Sequence, residues 1–310
     1  MADGGYAWWY LDALSDDGEH ALTLIAFVGS VFSPYYAKAR RGPGAAAADD
    51  HCAFNLALYR RAGGGHWAMT EFPAARCTRT ADELVLGGSR LAWQGAALQV
   101  DVDERTAPRR QRLRGALRVQ PQALVDRSHA LDAAGRHHWR PIAPCARIEV
   151  DLHHPALRWQ GTAYLDSNLG SRGLERDFVR WDWLRAALPD GRTAVLYDGQ
   201  RRDGSPFALA EAYATDGRVL PFEAPPPASL RRSAWGVARA ARCEAGAQAR
   251  TVQTLEDGPF YARGLLATRL AGHDVTAVHE SLSLDRFGAR WVQALLPFRM
   301  RRRGAWPWFV

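Results

Sequence analysis

Apolar residues in this chain recur at every second position far more often than at every third and fourth, a period that dictates strands rather than helices. Glu83 to Leu86, Leu91 to Trp93, Ala97 to Asp103 and Leu113 to Val119 are short alternating runs divided by Gly87-Gly88 and Gly95. His51 to Arg60 and His66 to Phe72 flank Gly63-Gly64-Gly65 as the arms of a hairpin. Ala21 to Phe32 is apolar and reads as a buried strand pair or bend, with its break at Gly29-Ser30. Cys145 to Leu152 alternates, and Leu157 to Leu165 follows after His154-Pro155, with a break expected at Asn168 and Gly170. Farther on, Trp181 to Leu188 and Thr193 to Tyr197 bracket Pro189-Asp190-Gly191, and Phe207 to Ala214 and Arg218 to Phe222 bracket Asp216-Gly217. Val252 to Leu255, Phe260 to Leu266, Val275 to Leu284 and Arg290 to Leu296 complete the expected strands. Helices are few: Arg172 to Arg180 fits one turn or two, Ala107 to Arg114 fits either state, and Arg41 to Asp50 reads as a loop. Short strands punctuated by Gly and Pro at this spacing predict an all-β chain of barrels or sandwiches.

The 310 residues, 47% hydrophobic and 24% charged, suffice for one large domain or two ordinary ones and do not suggest disorder. The net charge of +7 comes almost wholly from arginine, Lys38 being the single lysine. Apart from Arg299 and Arg301 to Arg303 the basic residues are scattered, whereas a nucleic-acid footprint clusters on one face. No nucleic-acid partner is therefore expected. Cys52, Cys77, Cys145 and Cys243 form no Cys-x-x-Cys pair and read as reduced core residues of a cytoplasmic protein. The first twenty residues lack a basic start followed by an apolar run, so no signal peptide is expected. Ala21 to Phe32, about twelve residues, falls short of the roughly twenty that span a bilayer.

Chemistry concentrates between Leu157 and Trp183. Tyr164 and Asp166 stand two apart on a predicted strand and so share one face. A carboxyl desolvated among aromatic rings has its pKa raised and can carry a proton at neutral pH. Phosphate-binding loops, nucleophile elbows and His-Glu-x-x-His are missing. The pairs His137-His138 and His153-His154 each offer one ligand per strand face, so no metal site is expected. What stands out is aromatic excess: Trp8, Trp9 and Tyr10 beside Asp12, Tyr35 and Tyr36, His137-His138-Trp139, and Trp181 and Trp183 around Asp182. Each ring buries much area in a barrel core. Alternatively, Trp8, Trp9, Tyr10, Tyr35, Tyr36, Trp181 and Trp183 line a long apolar substrate cavity with polar groups at one end.

Several blocks resemble bacterial acyclic carotenoid 1,2-hydratases, in family order over nearly the whole chain. They are Trp8 to Ser15, Leu24 to Tyr36 with its GSVFSPYY, His137 to Pro144, Gly161 to Gly170, and Trp181-Asp182-Trp183. Leu169 departs from the pattern, which has an aromatic before the glycine. The resemblance implies two lipocalin-like antiparallel β-barrels or sandwiches, an N-terminal one over residues 1–172 and a C-terminal one over 173–310. It also implies cofactor-free addition of water to the terminal double bond of an acyclic carotenoid, with chemistry falling on His137, Trp139, Tyr164 and Asp166. Asp166 would be the general acid, Trp139 and Tyr164 would face the cation, and His137 would orient Asp166 or take a proton from water. A non-catalytic carotenoid or prenyl-lipid carrier, or a hydratase of another terpenoid, are the alternatives. The C-terminus from Phe298 to Val310 joins arginines to aromatic residues, which predicts peripheral contact with the inner or photosynthetic membrane.

Overall fold

The alternating runs become strands. In chain order they are β1 (Tyr6–Ser15), β2 (His20–Val28), β3 (Cys52–Arg60), β4 (Gly65–Phe72), β5 (Cys77–Arg79), β6 (Glu83–Leu86), β7 (Ser89–Gln94), β8 (Ala97–Arg105), β9 (Arg112–Pro121), β10 (His129–Ala130), β11 (His137–His154) and β12 (Ala156–Gly170). The computed structural model describes residues 1–302; of the basic, aromatic C-terminus, positions 303–310 lie outside the described residues. These twelve strands form one antiparallel sheet in the order β4-β3-β2-β1-β12-β11-β9-β8-β7-β6-β5, with β10 on β11. The sheet curls on itself, since Thr70 on β4 donates to Glu104 Oε2 on β8 at 2.7 Å although the two strands lie far apart in that order. Inside the curl sits a core that includes Leu11, Ala13, Leu24, Phe54, Leu56, Val100, Leu117, Ile148 and Leu165. Burying each large aliphatic or aromatic side chain there is worth about 1.5–3 kcal/mol.

Helix α1 (Pro34–Arg41) was not foreseen from the alternation, although Ser33-Pro34 is a start signal. Ser33 Oγ accepts from the backbone N–H of Tyr35 and Tyr36 at 3.1 and 3.2 Å, and Pro34 takes the first helical position. The apolar run before it is a single strand, β2, ended by Gly29 at φ +70°.

The second unit contains β13 (Phe178–Ala187), β14 (Thr193–Arg201), β15 (Pro206–Tyr213), β16 (Val219–Leu220), β17 (Pro227–Leu230), β18 (Arg239–Arg242), β19 (Arg250–Asp257), β20 (Tyr261–Leu270) and β21 (His273–Ser283). Seven of them make an antiparallel sheet in the order β16-β15-β14-β13-β21-β20-β19, and β17 pairs with β18 in a separate hairpin. Ala241 of that hairpin joins Leu184, Leu196 and Leu266 in an apolar core. Polar groups fasten the hairpin as well. Asp182 accepts from the Ala240 N–H at 3.0 Å and from Ser281 Oγ, and His279 Nε2 donates to the Ala240 carbonyl at 2.7 Å. Burial pushes the Asp182 carboxyl up to about 6 and the His279 imidazole down to about 4.

Two short helices follow, α2 (Leu284–Gly288) and α3 (Arg290–Leu295), and then β22 (Arg301–Arg302), which pairs parallel with β4. The strand expected over Arg290 to Leu296 is thus a helix. Arg, Gln, Ala and Leu favour that state, and Val292, Leu295 and Leu296 are spaced three and four apart rather than two. Among the described residues the compact units are 1–121, 126–173 and 294–302 for the first, and 122–125 with 174–293 for the second. The single division expected at 172/173 is crossed twice, once because the last described strand pairs with β4. The two curled sheets with few helices match the all-β, lipocalin-like expectation.

Two strands outrun their expected ends. β12 does not break at Asn168, because β1 pairs with it on one side and β11 on the other through to Gly170. β11 begins at His137 rather than Cys145, and register shifts between Pro141 and Ala146 absorb its prolines.

Candidate active site

Alternation on β1 and its neighbours sorts residues onto two faces. Leu11 and Ala13 of β1, with Ala163 and Leu165 of β12, enter the apolar core. Tyr6, Trp8, Tyr10 and Asp12 point to the opposite face, where each meets its register partner on β12: Gly170, Asn168, Asp166 and Tyr164. From β11, His137 stands opposite Gly170, Trp139 opposite Asn168 and Pro141 opposite Asp166. Directly opposed side chains have Cβ atoms about 4.5–5.5 Å apart. β1 and the β11–β12 hairpin, distant in sequence, therefore deliver aromatic and polar groups to one buried patch.

Asp166 is its centre. Trp139 Nε1 and the Tyr164 hydroxyl both donate to Asp166 Oδ2, each at 2.8 Å. Trp139 is 27 residues away in sequence but one strand away in space. The Tyr10 ring stands edge-on to Tyr164 at 6.4 Å, and its hydroxyl donates to Asp12 Oδ2 at 3.3 Å. Asp12 and Asp166 are diagonal neighbours on adjacent strands, so the patch holds two buried carboxyls.

His137 lies farther along. Its Nδ1 is 3.0 Å from the Tyr6 hydroxyl, and Gly170 makes that contact possible: a Cβ there would run into both rings. Gly170 is four positions along β12 from Asp166, about 13 Å of strand. Asp132 fixes the start of β11 by accepting from the backbone N–H groups of Arg136 and His137 at 2.8 and 2.9 Å. Burial works to raise the Asp132 carboxyl, but the His137 N–H and Arg136 outweigh it and hold the group below its ordinary value.

Midway between Asp166 and the Tyr6–His137 pair is Asn168, 3% exposed, with Trp8 opposite on β1 and Trp139 opposite on β11. Its Nδ2 has no hydrogen-bond partner among the described residues. Leaving a buried polar group unsatisfied costs about 1–3 kcal/mol. Asn168, Tyr6, Asp132 and Gly170 were not singled out as site residues from sequence. Parity was the available signal, since Asn168 lies two from Asp166 and Tyr6 lies two from Trp8.

The remaining expected residues fall elsewhere. Trp9 has the opposite parity and packs against the apolar core. Tyr35 and Tyr36 are on α1, where their hydroxyls donate to the carbonyls of Met300 at 3.3 Å and Gly5 at 2.7 Å. Tyr36 also stacks on His51 at 4.6 Å, and burial pushes its hydroxyl up to about 12. Trp181 and Trp183 are buried on β13 of the second unit, Trp181 edge-on to Phe178 and Tyr197. His153 and His154 are exposed at the far end of β11, and His138 bonds to Gly135 and Ser128. Leu169, 36% exposed, points away from the Asp166 face, so its departure from the expected aromatic does not alter that face.

Comparison with known proteins adds three findings. Residues 24–309 match the family model described as carotenoid hydratase CrtC. The chain is 54% identical to the acyclic carotenoid 1,2-hydratase of Thiocapsa roseopersicina over 98% of this chain and 75% of that one. It is 39% identical to the protein of that name from Cereibacter sphaeroides, over 91% of this chain and 99% of that one. Among solved structures, an AttH candidate from Nitrosomonas europaea aligns with a TM-score of 0.62 at 16% identity, covering 90% of this chain and 92% of that one. CghA with Sch210972 aligns at 0.55 and 14%, covering 90% and 88%. Those two likenesses are of fold.

Proposed function

The chain belongs to the carotenoid hydratase family, and from that premise we propose that its Asp166 patch adds water across the terminal C1=C2 bond of an acyclic carotenoid by acid catalysis. The carrying observation is that Trp139 and Tyr164 both donate to one oxygen, Oδ2. An indole N–H only donates, so Oδ2 is the acceptor end of the carboxyl and the acid's proton belongs on Oδ1. Burial disfavours the charged form of Asp166.

In this reading Asp166 gives its proton to C2 and leaves a tertiary cation at C1. Water then adds to C1 and sheds a proton, giving the 1-hydroxy carotenoid. The rings of Trp139, Tyr164, Tyr10 and Trp8 face the developing charge, and each cation–π contact contributes ~0.5–2 kcal/mol. General acid catalysis supplies about 10²–10⁴-fold. The preorganised donors at Oδ2 add electrostatic stabilisation as charge returns to the carboxylate. His137, bonded to Tyr6, is a proton acceptor for the incoming water rather than a direct support of Asp166.

No helix among the described residues is long and apolar enough to cross a membrane. Contact with the bilayer that dissolves the substrate is proposed for the C-terminal region. There Phe298 is 77% exposed and is followed by Arg299 and Arg301 to Arg303. The test of the function is direct. Purified protein incubated with lycopene should yield a product heavier by one water, whereas bound pigment without product would make the chain a carrier.

A further inference from the structure

We propose that Asn168 is the residue that holds the attacking water, between the acid Asp166 and the Tyr6–His137 pair. It deepens the Asp166 reading and rests on it. Asn168 shares the face of Asp166 two residues along β12, about 7 Å away, and Gly170 with its opposed Tyr6 and His137 lies the same distance beyond. The amide is 3% exposed, and its Nδ2 has no partner among the described residues. Buried polar groups are almost always hydrogen-bonded, so an unpartnered donor beside a reacting carboxyl points to a reaction component as its partner. The walls beside it, Trp8 and Trp139, are rings that tolerate a cation but cannot trap one.

The steps balance. The Asp166 proton forms the new C2–H bond with the π electron pair, and C1 becomes cationic. A water oxygen that accepts one N–H from Asn168 keeps a second lone pair, which forms the C1–O bond. The proton shed by that oxygen returns to the Asp166 carboxylate, directly or through the His137 imidazole, and the acid is restored. A neutral amide suits this place: it orients water without an anionic charge that would pair with C1. Asn168 is thus a residue of the addition half of the reaction, while Asp166 serves the protonation half.

The two halves separate in deuterated water. There Asp166 delivers deuterium to C2, and a cation that survives uncaptured long enough for C2 to turn loses its original C2 hydrogen to the Asp166 carboxylate, returning alkene labelled at C2. Folded Asn168→Ala, checked by circular dichroism, is incubated with lycopene in D2O, and alcohol and label in recovered lycopene are read by mass spectrometry. The expected result is a fall in alcohol of about 100-fold and a rise of at least tenfold in the ratio of exchange to hydration. Asn168→Ser, which keeps a small donor, should give an intermediate ratio and serves alone if the alanine variant does not fold. An unchanged or lower ratio, or undiminished hydration, overturns the proposal, because a merely structural residue would depress both halves together. If Asp166→Asn retains both exchange and hydration, the acid assignment has failed instead.

Discussion

The Tyr6 hydroxyl lies 3.0 Å from His137 Nδ1 across 131 residues of sequence, and both rings occupy the space that a side chain at Gly170 would need. The glycine reads as a turn former yet sits in a regular strand paired on both sides. Gly170→Ala should therefore act as overpacking of a buried site, costing about 1–3 kcal/mol. Calorimetry should show Tm lower by roughly 2–8 °C, with hydration reduced as well. An unchanged Tm would mean that the two rings have room to move.

Asp166→Asn keeps an acceptor for Trp139 and Tyr164 but removes the transferable proton. Hydration of lycopene should drop on the order of 10²–10⁴-fold with the fold intact. Activity near that of the unaltered protein would remove Asp166 from the role of acid.

Tyr164→Phe deletes one of the two donors to Oδ2. A hydrogen bond to a carboxylate favours its charged form, so the variant's acid should hold its proton to higher pH. Because the protonated form is the active one, the alkaline limb of the pH–rate profile should move upward. The plateau should fall about 10–100-fold, since the departing charge is less well stabilised. A limb that moves to lower pH contradicts the assignment.

In the second unit two buried groups titrate in opposite senses. Asp182 has a folded pKa raised by burial from 3.8 to about 6, so its contribution to stability is present below pH 4 and lost as pH rises through 6. His279 is lowered, chiefly by burial, from 6.5 to about 4; its contribution is present above pH 6.5 and lost as pH falls through 4. Each swing is about 3 kcal/mol, and over the shared window they offset. Relative to the unaltered protein at the same pH, His279→Gln should gain stability at pH 4.5 compared with pH 7, and Asp182→Asn should lose it. Parallel thermal melts across that range for all three proteins would refute the pairing.

Phe298→Ser should weaken sedimentation with anionic liposomes about tenfold if the exposed ring and its neighbouring arginines contact the bilayer. Equal partitioning of variant and parent would leave the C-terminal region without that role.

The hairpins were readable because their turn chemistry is local: Gly63 to Gly65 joins β3 to β4, and Pro189-Asp190-Gly191 joins β13 to β14. The first half of β11 was not, since Pro141 and Pro144 argue against a strand and the register shifts that absorb them are tertiary. Helix α1 was signalled by Ser33-Pro34 but masked by the apolar run before it. At the site, parity on β12 linked Tyr164 to Asp166, whereas no local pattern could supply the pairing of Trp139 with Asn168 or of Tyr6 with Gly170. Strand register, set by the bulges of β11 and by the return of β1 to β12, decides those, and for His137 and Trp139 the resemblance stood in for it.

The two-faced character of β1 and β12 bears on how such a chain can diverge. From Tyr6 to Ala13 on β1 and Ala163 to Gly170 on β12, odd positions answer to the volume of the core and even positions to the proposed site, so substitutions on one face leave the other largely untouched. Inserting or deleting a single residue in either strand would exchange the faces beyond it, dropping tyrosines and carboxyls into the core and leucines beside the substrate. These strands are consequently free to change in composition yet bound in length, and new specificities should arise among descendants by replacement at even positions while loops alone vary in size.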